Sequence, residues 1–343
     1  MNSMIIDIRS DTVTCPTPGM LEAMFSAKVG DDVFEEDPTI NQLEAKVAAL
    51  FGMEAGLFCP SGTMTNQIAI NVHTRPGDEV ILHKLSHLYY YEGGGMMRNS
   101  GVSVCLLEGE RGLITAHDVE SHINPEDDVH RPLTTLVAVE NTMNKGGGAV
   151  YDFNELLKIG KVARKNNLKF HLDGARIFNA LAVTDQTPSD YGKLFDSISV
   201  CFSKGLGAPA GSVLLGTKEF IYKSRRVRKV FGGGMRQVGY LAAAAIYALD
   251  HNVERLKEDH RKAKVLGDVL NGLEWVEKVM PIDTNILIFM VKPDFSAFEM
   301  VQKMEDVGLK SMAFDKKSIR FVTHLDFTDE MLAKAVEILK SVS

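Results

Sequence analysis

The chain has 343 residues, more than one hydrophobic core usually organises, so a large domain with a smaller companion is expected. Its composition, 45% hydrophobic and 24% charged, is that of an ordinary globular protein and excludes a disordered or fibrous chain. The net charge of −7 argues against nucleic acid as a partner, and the basic run Lys223 to Lys229 reads as a solvated helix face.

In chain order, an irregular arm (Asp7 to Pro18) leads into a short helix near 19–28. The acidic loop Gly30 to Pro38 follows. Thr39 is expected to open a helix with Gln42 as capping-box partner and Leu43, Val47 and Leu50 on one face. From Ala55 onward, short apolar runs alternate with helical patterns. Strands are predicted at 55–59, 79–83, 102–106, 135–140, 168–172, 197–202 and 211–215. Helices are predicted near 61–73, 88–98, 115–123 and 153–166, the last capped by Asp152. This alternation indicates βαβ units and a mostly parallel seven-stranded sheet covered by helices. A long helical region near 235–270 follows Gly232-Gly233-Gly234. Strands near 284–290 and 318–323 and helices near 296–307 and 328–341 then suggest a small α+β domain. The expected division is an arm at 1–30, a large domain at 31–250 and a small domain at 251–343.

The four cysteines (Cys15, Cys59, Cys105, Cys201) form no C-x-x-C pair, and three fall in apolar runs. Reduced thiols and a cytoplasmic location are expected. The N-terminus acquires charge at once, with no apolar stretch of the kind a signal peptide needs. The longest small-apolar run, Leu241 to Leu249, is too short to cross a bilayer, so no membrane partner is expected.

Two residues carry the chemistry. Asp173, in His171-Leu172-Asp173-Gly174-Ala175-Arg176, and Lys204, in Ser203-Lys204-Gly205-Leu206-Gly207, each stand at the end of an apolar run. A pyridoxal phosphate (PLP) enzyme needs this combination: a lysine for the Schiff base and a carboxylate for the protonated pyridine nitrogen. Strand-end aspartates also cap helices, and most lysines are surface groups. The small-residue loop Gly205 to Gly211 argues for a ligand lying close to the backbone here. Ser61-Gly62-Thr63 opens a helix after a strand, where free N–H groups form an anion cup for a phosphate. Read alone, it is an ordinary N-cap.

His87 suits stacking on a flat ring. With His83 it has the H-x-x-x-H spacing of a zinc pair, but no glutamate follows His83 and no third ligand is evident, so no metal is expected. Arg176 and Arg320 are candidate forks for a substrate carboxylate. No G-x-G-x-x-G follows the first strand, which sets aside a nicotinamide dehydrogenase.

Together these segments resemble the threonine aldolases, a fold-type I PLP family of aspartate-aminotransferase-like architecture. The matching stretches are Ile8 to Thr14, Val29 to Val33, Glu36 to Thr39, Ser61 to Met64, Glu140 to Thr142, His171 to Ala180, Ser203 to Pro209, Gly232 to Gln237 and Arg320 to His324. The resemblance implies retro-aldol cleavage of threonine, allo-threonine or a related β-hydroxy-α-amino acid to glycine and an aldehyde. It implies Lys204 as the Schiff-base lysine with Ser203 beside it, Asp173 on the pyridine nitrogen, His87 on the ring, and Gly62 and Thr63 on the phosphate. Ser10, Arg176 and Arg320 would bind the substrate carboxylate, and His87 or His130 would act on the hydroxyl proton. The Gly232 to Arg236 segment resembles one that approaches a neighbouring subunit's site, in a homotetramer built from dimers with shared sites. The chain departs from the family at Phe34, Glu35, Thr65 and Met143. Phe34 and Met143 suggest a more apolar side-chain pocket, such as one for β-aryl-serines. A β-eliminating lyase releasing pyruvate and ammonia, or a PLP-binding regulatory protein, would share Lys204 and Asp173.

Overall fold

The computed structural model describes residues 5–342; the first four residues of the expected arm and Ser343 lie outside it. Thirteen strands are seen among the described residues: β1 (Ile6–Asp7), β2 (Ala55–Cys59), β3 (Glu79–His83), β4 (Ser103–Leu107), β5 (Thr134–Glu140), β6 (Lys169–Gly174), β7 (Ser197–Cys201), β8 (Ser212–Gly216), β9 (Val276–Val279), β10 (Ile286–Val291), β11 (Leu309–Lys310), β12 (Met312–Ala313) and β13 (Ser318–Val322). β2 to β8 form one seven-stranded sheet in the order β2-β8-β7-β6-β5-β3-β4, and only β8 runs against the rest. β3, β7 and β8 are buried throughout, so their near-continuous apolar runs pack against helices on both faces.

The smaller antiparallel sheet, β12-β13-β10-β9, packs on the helices Leu256–Asn271, Ala297–Asp306 and Asp329–Ser341. Ile6 and Ile8 are buried in this core, and β1 pairs in parallel with β11. The start of the N-terminal arm therefore belongs to the C-terminal layer.

Several predicted helix limits shift for local reasons. The helix Pro38–Phe51 is capped by Asp37, whose carboxylate accepts from the Thr39 and Ile40 N–H groups. Thr39 instead donates its hydroxyl to the Lys28 carbonyl. Ile40, Leu43, Val47 and Phe51 form the buried face, and Leu50 is exposed. The predicted helix at 88–98 divides into His87–Tyr90 and Gly95–Ser100, because Gly93 and Gly94 take left-handed conformations. The long region at 235–270 also divides, into Gly239–His251 and Leu256–Asn271, where Asn252 turns its amide to the Leu206 carbonyl.

Candidate active site

The carboxyl ends of the parallel strands meet along one edge, where ligands settle in open α/β sheets. Register places Asp173 on β6 beside Glu140 of β5 and Ser199 of β7. Ser212 opens β8 between Cys59 and Cys201. Strand alternation puts His171 and Asp173 on one face of β6, and Ser197 and Ser199 on the same face of β7. The helix Gly62–His73 covers this face with polar groups. Thr65 bonds Ser199 at 2.6 Å, Asn66 bonds both Asp173 and His171, and His73 bonds Ser197.

Asp173 is buried, with Oδ2 accepting from Asn66 Nδ2 at 3.0 Å and Oδ1 from the Ala175 N–H at 3.1 Å. Lys204 follows β7 and is partly buried; its carbonyl accepts from the Thr14 hydroxyl and the Gly207 N–H. Its charge favours the ionised Asp11 carboxylate and disfavours protonation of His87. Ser203 turns its hydroxyl to Cys201 Sγ at 3.3 Å.

His87 begins its short helix with its N–H on Glu140 Oε2 at 2.7 Å and its Nδ1 on Glu92 Oε1 at 2.9 Å. Burial pulls its pKa down, but the Glu92 hydrogen bond and the Asp173 and Glu92 charges outweigh this, and the net shift is upward. Burial, reinforced by the Asp173 charge, pushes Glu140 up to about 7 against two backbone N–H bonds. His171 is wholly buried and drops to about 4, so it is neutral at physiological pH.

Ser61 caps its helix by accepting from the Met64 N–H, which leaves the first-turn N–H groups of Gly62 and Thr63 facing outward. A Cβ on Gly62 would meet only Ser212 Oγ, at 3.5 Å, and that buried hydroxyl has no partner among the described residues. The result is an open cup with a spare donor.

The two arginines differ. Arg176 closes on Asp11, which holds the Asp11 carboxyl down to about 2 despite its burial. Arg320 donates to Asn144 Oδ1 at 3.0 Å and to the Arg9 carbonyl at 2.9 Å, while its buried Nε has no partner among the described residues. Burial and then the Arg176 charge push Arg320 down to about 10, so it stays cationic at neutral pH. Asp11 thus pairs with Arg176 alone, and Arg320 makes no ion pair among the described residues, which leaves its charge available to an anion. Ser10, on the same arm, caps the short turn Asp11–Val13.

Three expected residues stand apart. His130 is exposed on the loop before β5, at the opposite edge of the sheet from Glu140. Arg236 is exposed and paired with Asp31 at 2.9 Å. Met143 is buried, and its side chain fills the space against Gly112 and Gly146. Asn66, Glu92, Glu140 and Asp11 complete the site without having been singled out as functional residues in the sequence. Only their places within the matched stretches Glu140 to Thr142 and Ile8 to Thr14 hinted at Glu140 and Asp11, Asn66 falls just past the stretch Ser61 to Met64, and Glu92 gave no such sign. Among the described residues, His87, Glu92 and Asp173 present ligand-type atoms within 4.8 Å of one another. Hydrogen bonds within the group and to Asn66 account for that closeness.

Sheet and site together define a fold-type I α/β enzyme with its lysine at the carboxyl edge. The β-eliminating lyase family model matches residues 7–293. A probable low-specificity L-threonine aldolase 2 of Arabidopsis thaliana is 43% identical over 330 residues, 94% of this chain and 93% of that protein. The low specificity L-threonine aldolase of Escherichia coli K12 is 40% identical over 96% of this chain and 97% of its own. A threonine aldolase structure from Leishmania major superposes with a TM-score of 0.85, covering 98% of this chain and 99% of that one at 22% identity, a likeness of fold. The chain belongs to the β-eliminating lyase family and, within it, to the threonine aldolases. It is a lyase.

Proposed function

We propose that the chain is a PLP-dependent aldolase that cleaves threonine-type β-hydroxy-α-amino acids to glycine and an aldehyde. Asp173, His87 and Lys204 at the carboxyl edge of the large sheet, with Arg320 of β13 reaching Asn144 beside it, carry this reading. The activities named for its relatives support it. The residues fit the cofactor. The Gly62–Thr63 cup with the spare Ser212 hydroxyl suits a phosphate, Asp173 suits a ring nitrogen, and Lys204 suits the aldehyde carbon. When bound, PLP supplies the carbonyl that captures the amino group and the ring that accepts the electron pair left at Cα.

The protein's own part is orientation and proton transfer. Arg320 offers its free Nε and, with Ser10 and the remaining arm of Arg176, receives the substrate carboxylate. That grip would hold the substrate so that its Cα–Cβ bond is the one aligned to break. His87 Nε2 takes the β-hydroxyl proton as that bond breaks and the oxygen becomes a carbonyl. Lys204 Nζ delivers the proton that turns Cα into glycine.

His130 and Arg236 enter this scheme from a neighbouring copy. His130 stands ten residues before Glu140, with the whole of β5, about 20 Å at 3.3 Å per residue, between it and the site. A second subunit is the direct way to bring such a group in, which supports an assembly of at least a dimer, as in the expected dimer-based tetramer. No helix among the described residues is long and apolar enough to cross a membrane; the cytoplasm is the proposed location.

The test is to combine the protein and PLP with L-threonine, L-allo-threonine and L-phenylserine, assaying glycine and aldehyde alongside pyruvate. Glycine with one equivalent of aldehyde is expected. Pyruvate and ammonia without glycine would establish the β-eliminating reading instead.

A further inference from the structure

The imidazole of His87 is held by a buried polar network in which every orientation follows from a neighbour. Glu92 is fully buried at its side chain. Its Oε1 receives Asn66 Nδ2 at 3.0 Å and faces His87 Nδ1 at 2.9 Å, and its Oε2 receives Gln67 Nε2 at 2.6 Å. Amide nitrogens only donate, so both oxygens of Glu92 act as acceptors. Asn66 Nδ2 also donates to Asp173 Oδ2 at 3.0 Å. Turning that amide over would set its oxygen against two carboxylates, so Asn66 Oδ1 must face His171 Nε2, as it does at 3.1 Å. Asn66 therefore braces Glu92 and Asp173 with one amino group, and Glu92 cannot swing away from His87 without stranding Gln67.

The consequence for His87 is specific. With Oε1 accepting, Nδ1 must carry a hydrogen, and the neutral ring then has its lone pair on Nε2, the atom directed away from Glu92. Glu140 holds only the main-chain N–H of His87, so it sets where the residue begins but not how its ring is protonated.

We propose that Glu92 is the positioning residue of this active site, fixing His87 as the Nδ1–H tautomer and stabilising the charge the ring gains when Nε2 takes the substrate's β-hydroxyl proton. The inference rests on the aldolase reading above and names which histidine nitrogen does the work and what orients it. The arrangement parallels a carboxylate–histidine base in which the carboxylate orients the ring and never itself becomes the proton carrier. The other charges facing the ring are Asp173 on β6, Glu140 at the end of β5 and Lys204 after β7, with the Tyr91 ring 5.6 Å away. All of them remain in place when Glu92 is changed.

The experiment is Glu92→Gln in the holoenzyme, alone and combined with His87→Phe. It is read by the pH profile of kcat/KM for L-threonine and by histidine-ring 13C NMR titration. Glutamine keeps the shape and can still accept at Oε1. Alone it should lower kcat about 10- to 100-fold, with KM within about threefold, and move the acid limb to lower pH by about one unit. The His87 resonance, assigned by its absence in His87→Phe, should titrate at correspondingly lower pH; this reading does not depend on turnover. In the His87→Phe background, Glu92→Gln should add less than about threefold, because a residue acting through the ring has nothing left to act on. Equal losses in both backgrounds, or an unmoved His87 titration, would overturn the proposal and leave Glu92 a folding residue. If the parent makes no glycine from any β-hydroxy amino acid, the aldolase reading fails by itself, and the NMR titration still decides the role of Glu92 toward the ring.

Discussion

Arg176 grips both carboxylate oxygens of Asp11, Nε on Oδ2 and Nη2 on Oδ1, each at 2.7 Å, with both side chains buried. The pair ties the N-terminal arm to the end of β6 across 165 positions. It brings Ser10 to the site and takes up most of a guanidinium that the sequence suggested for substrate. Removing one partner of a buried pair costs about 3–5 kcal/mol, so Asp11→Asn should lose an amount in that range in denaturant unfolding at neutral pH.

The same pair predicts an acid dependence. The Asp11 carboxyl sits at about 2 in the folded chain against an ordinary 3.8. Burial alone would raise it, but the Arg176 charge and hydrogen bonds, with the Lys204 charge, more than reverse that. A depressed carboxyl contributes stability that is full above its unfolded value and lost as pH falls through the folded one. About 2 kcal/mol should therefore disappear between roughly pH 4 and pH 2. Unfolding curves across that window should show the slope in the parent, and the Asp11→Asn protein should lack that share of it.

Arg320 is the arginine with something left to give. Its Nε is buried without a partner, and its other donors rest on Asn144 and the Arg9 carbonyl. Lysine keeps the charge but not the planar fork. Arg320→Lys should raise KM for L-threonine about 10- to 100-fold, the worth of one charge-assisted hydrogen bond, with a smaller change in kcat. Steady-state kinetics decide this, and an unchanged KM would move the carboxylate grip back to Arg176.

The expectation of an apolar side-chain pocket loses one of its two supports. Met143 is buried against Gly112 and Gly146, and Phe34 is 68% exposed on the turn Asp32–Phe34. A residue lining a substrate pocket commonly shifts discrimination about tenfold or more. Met143→His should therefore change the ratio of kcat/KM for phenylserine over threonine by less than that. A larger change would show that Met143 reaches the substrate after all.

The sheet was legible because β-branched and apolar runs of five to seven residues recur between helical patterns, and burial on both faces leaves few other readings for them. Asp173 and Lys204 were legible for a related reason, since each interrupts such a run at its carboxyl end. Their partners were not. Glu92 lies in Tyr90-Tyr91-Glu92-Gly93, inside the helix predicted at 88–98, and nothing marks it out until Asn66 and Gln67 fold over it. Asp11 lies in an arm whose burial depends on Arg176 and Asn285, 165 and 274 positions away. The helix start at Thr39 was misplaced because Asp37-Pro38 and Thr39 both offer caps, and the Lys28 carbonyl claims the threonine. Local pattern finds what a strand end presents, and only tertiary packing says what meets it.

Arg236 gives the sharpest test of shared sites. It is more than half exposed, its guanidinium rests on Asp31 at 2.9 Å, and its carbonyl receives the Asp32 N–H. An exposed pair of this kind contributes only about 0–1 kcal/mol, so Arg236→Ala should fold normally and melt near the parent. If the segment completes a neighbour's site, Arg236→Ala and Lys204→Ala should each be nearly inactive, for reasons lying in different subunits. Unfolding and refolding an equal mixture would then produce hybrid dimers. In each hybrid one site carries both defects and the other carries neither. With half of the dimers hybrid and one of two sites intact in each, activity should return to about a quarter of the parent value. Hybrids verified by a mass tag that stay inactive would show that Arg236 serves the site of its own chain.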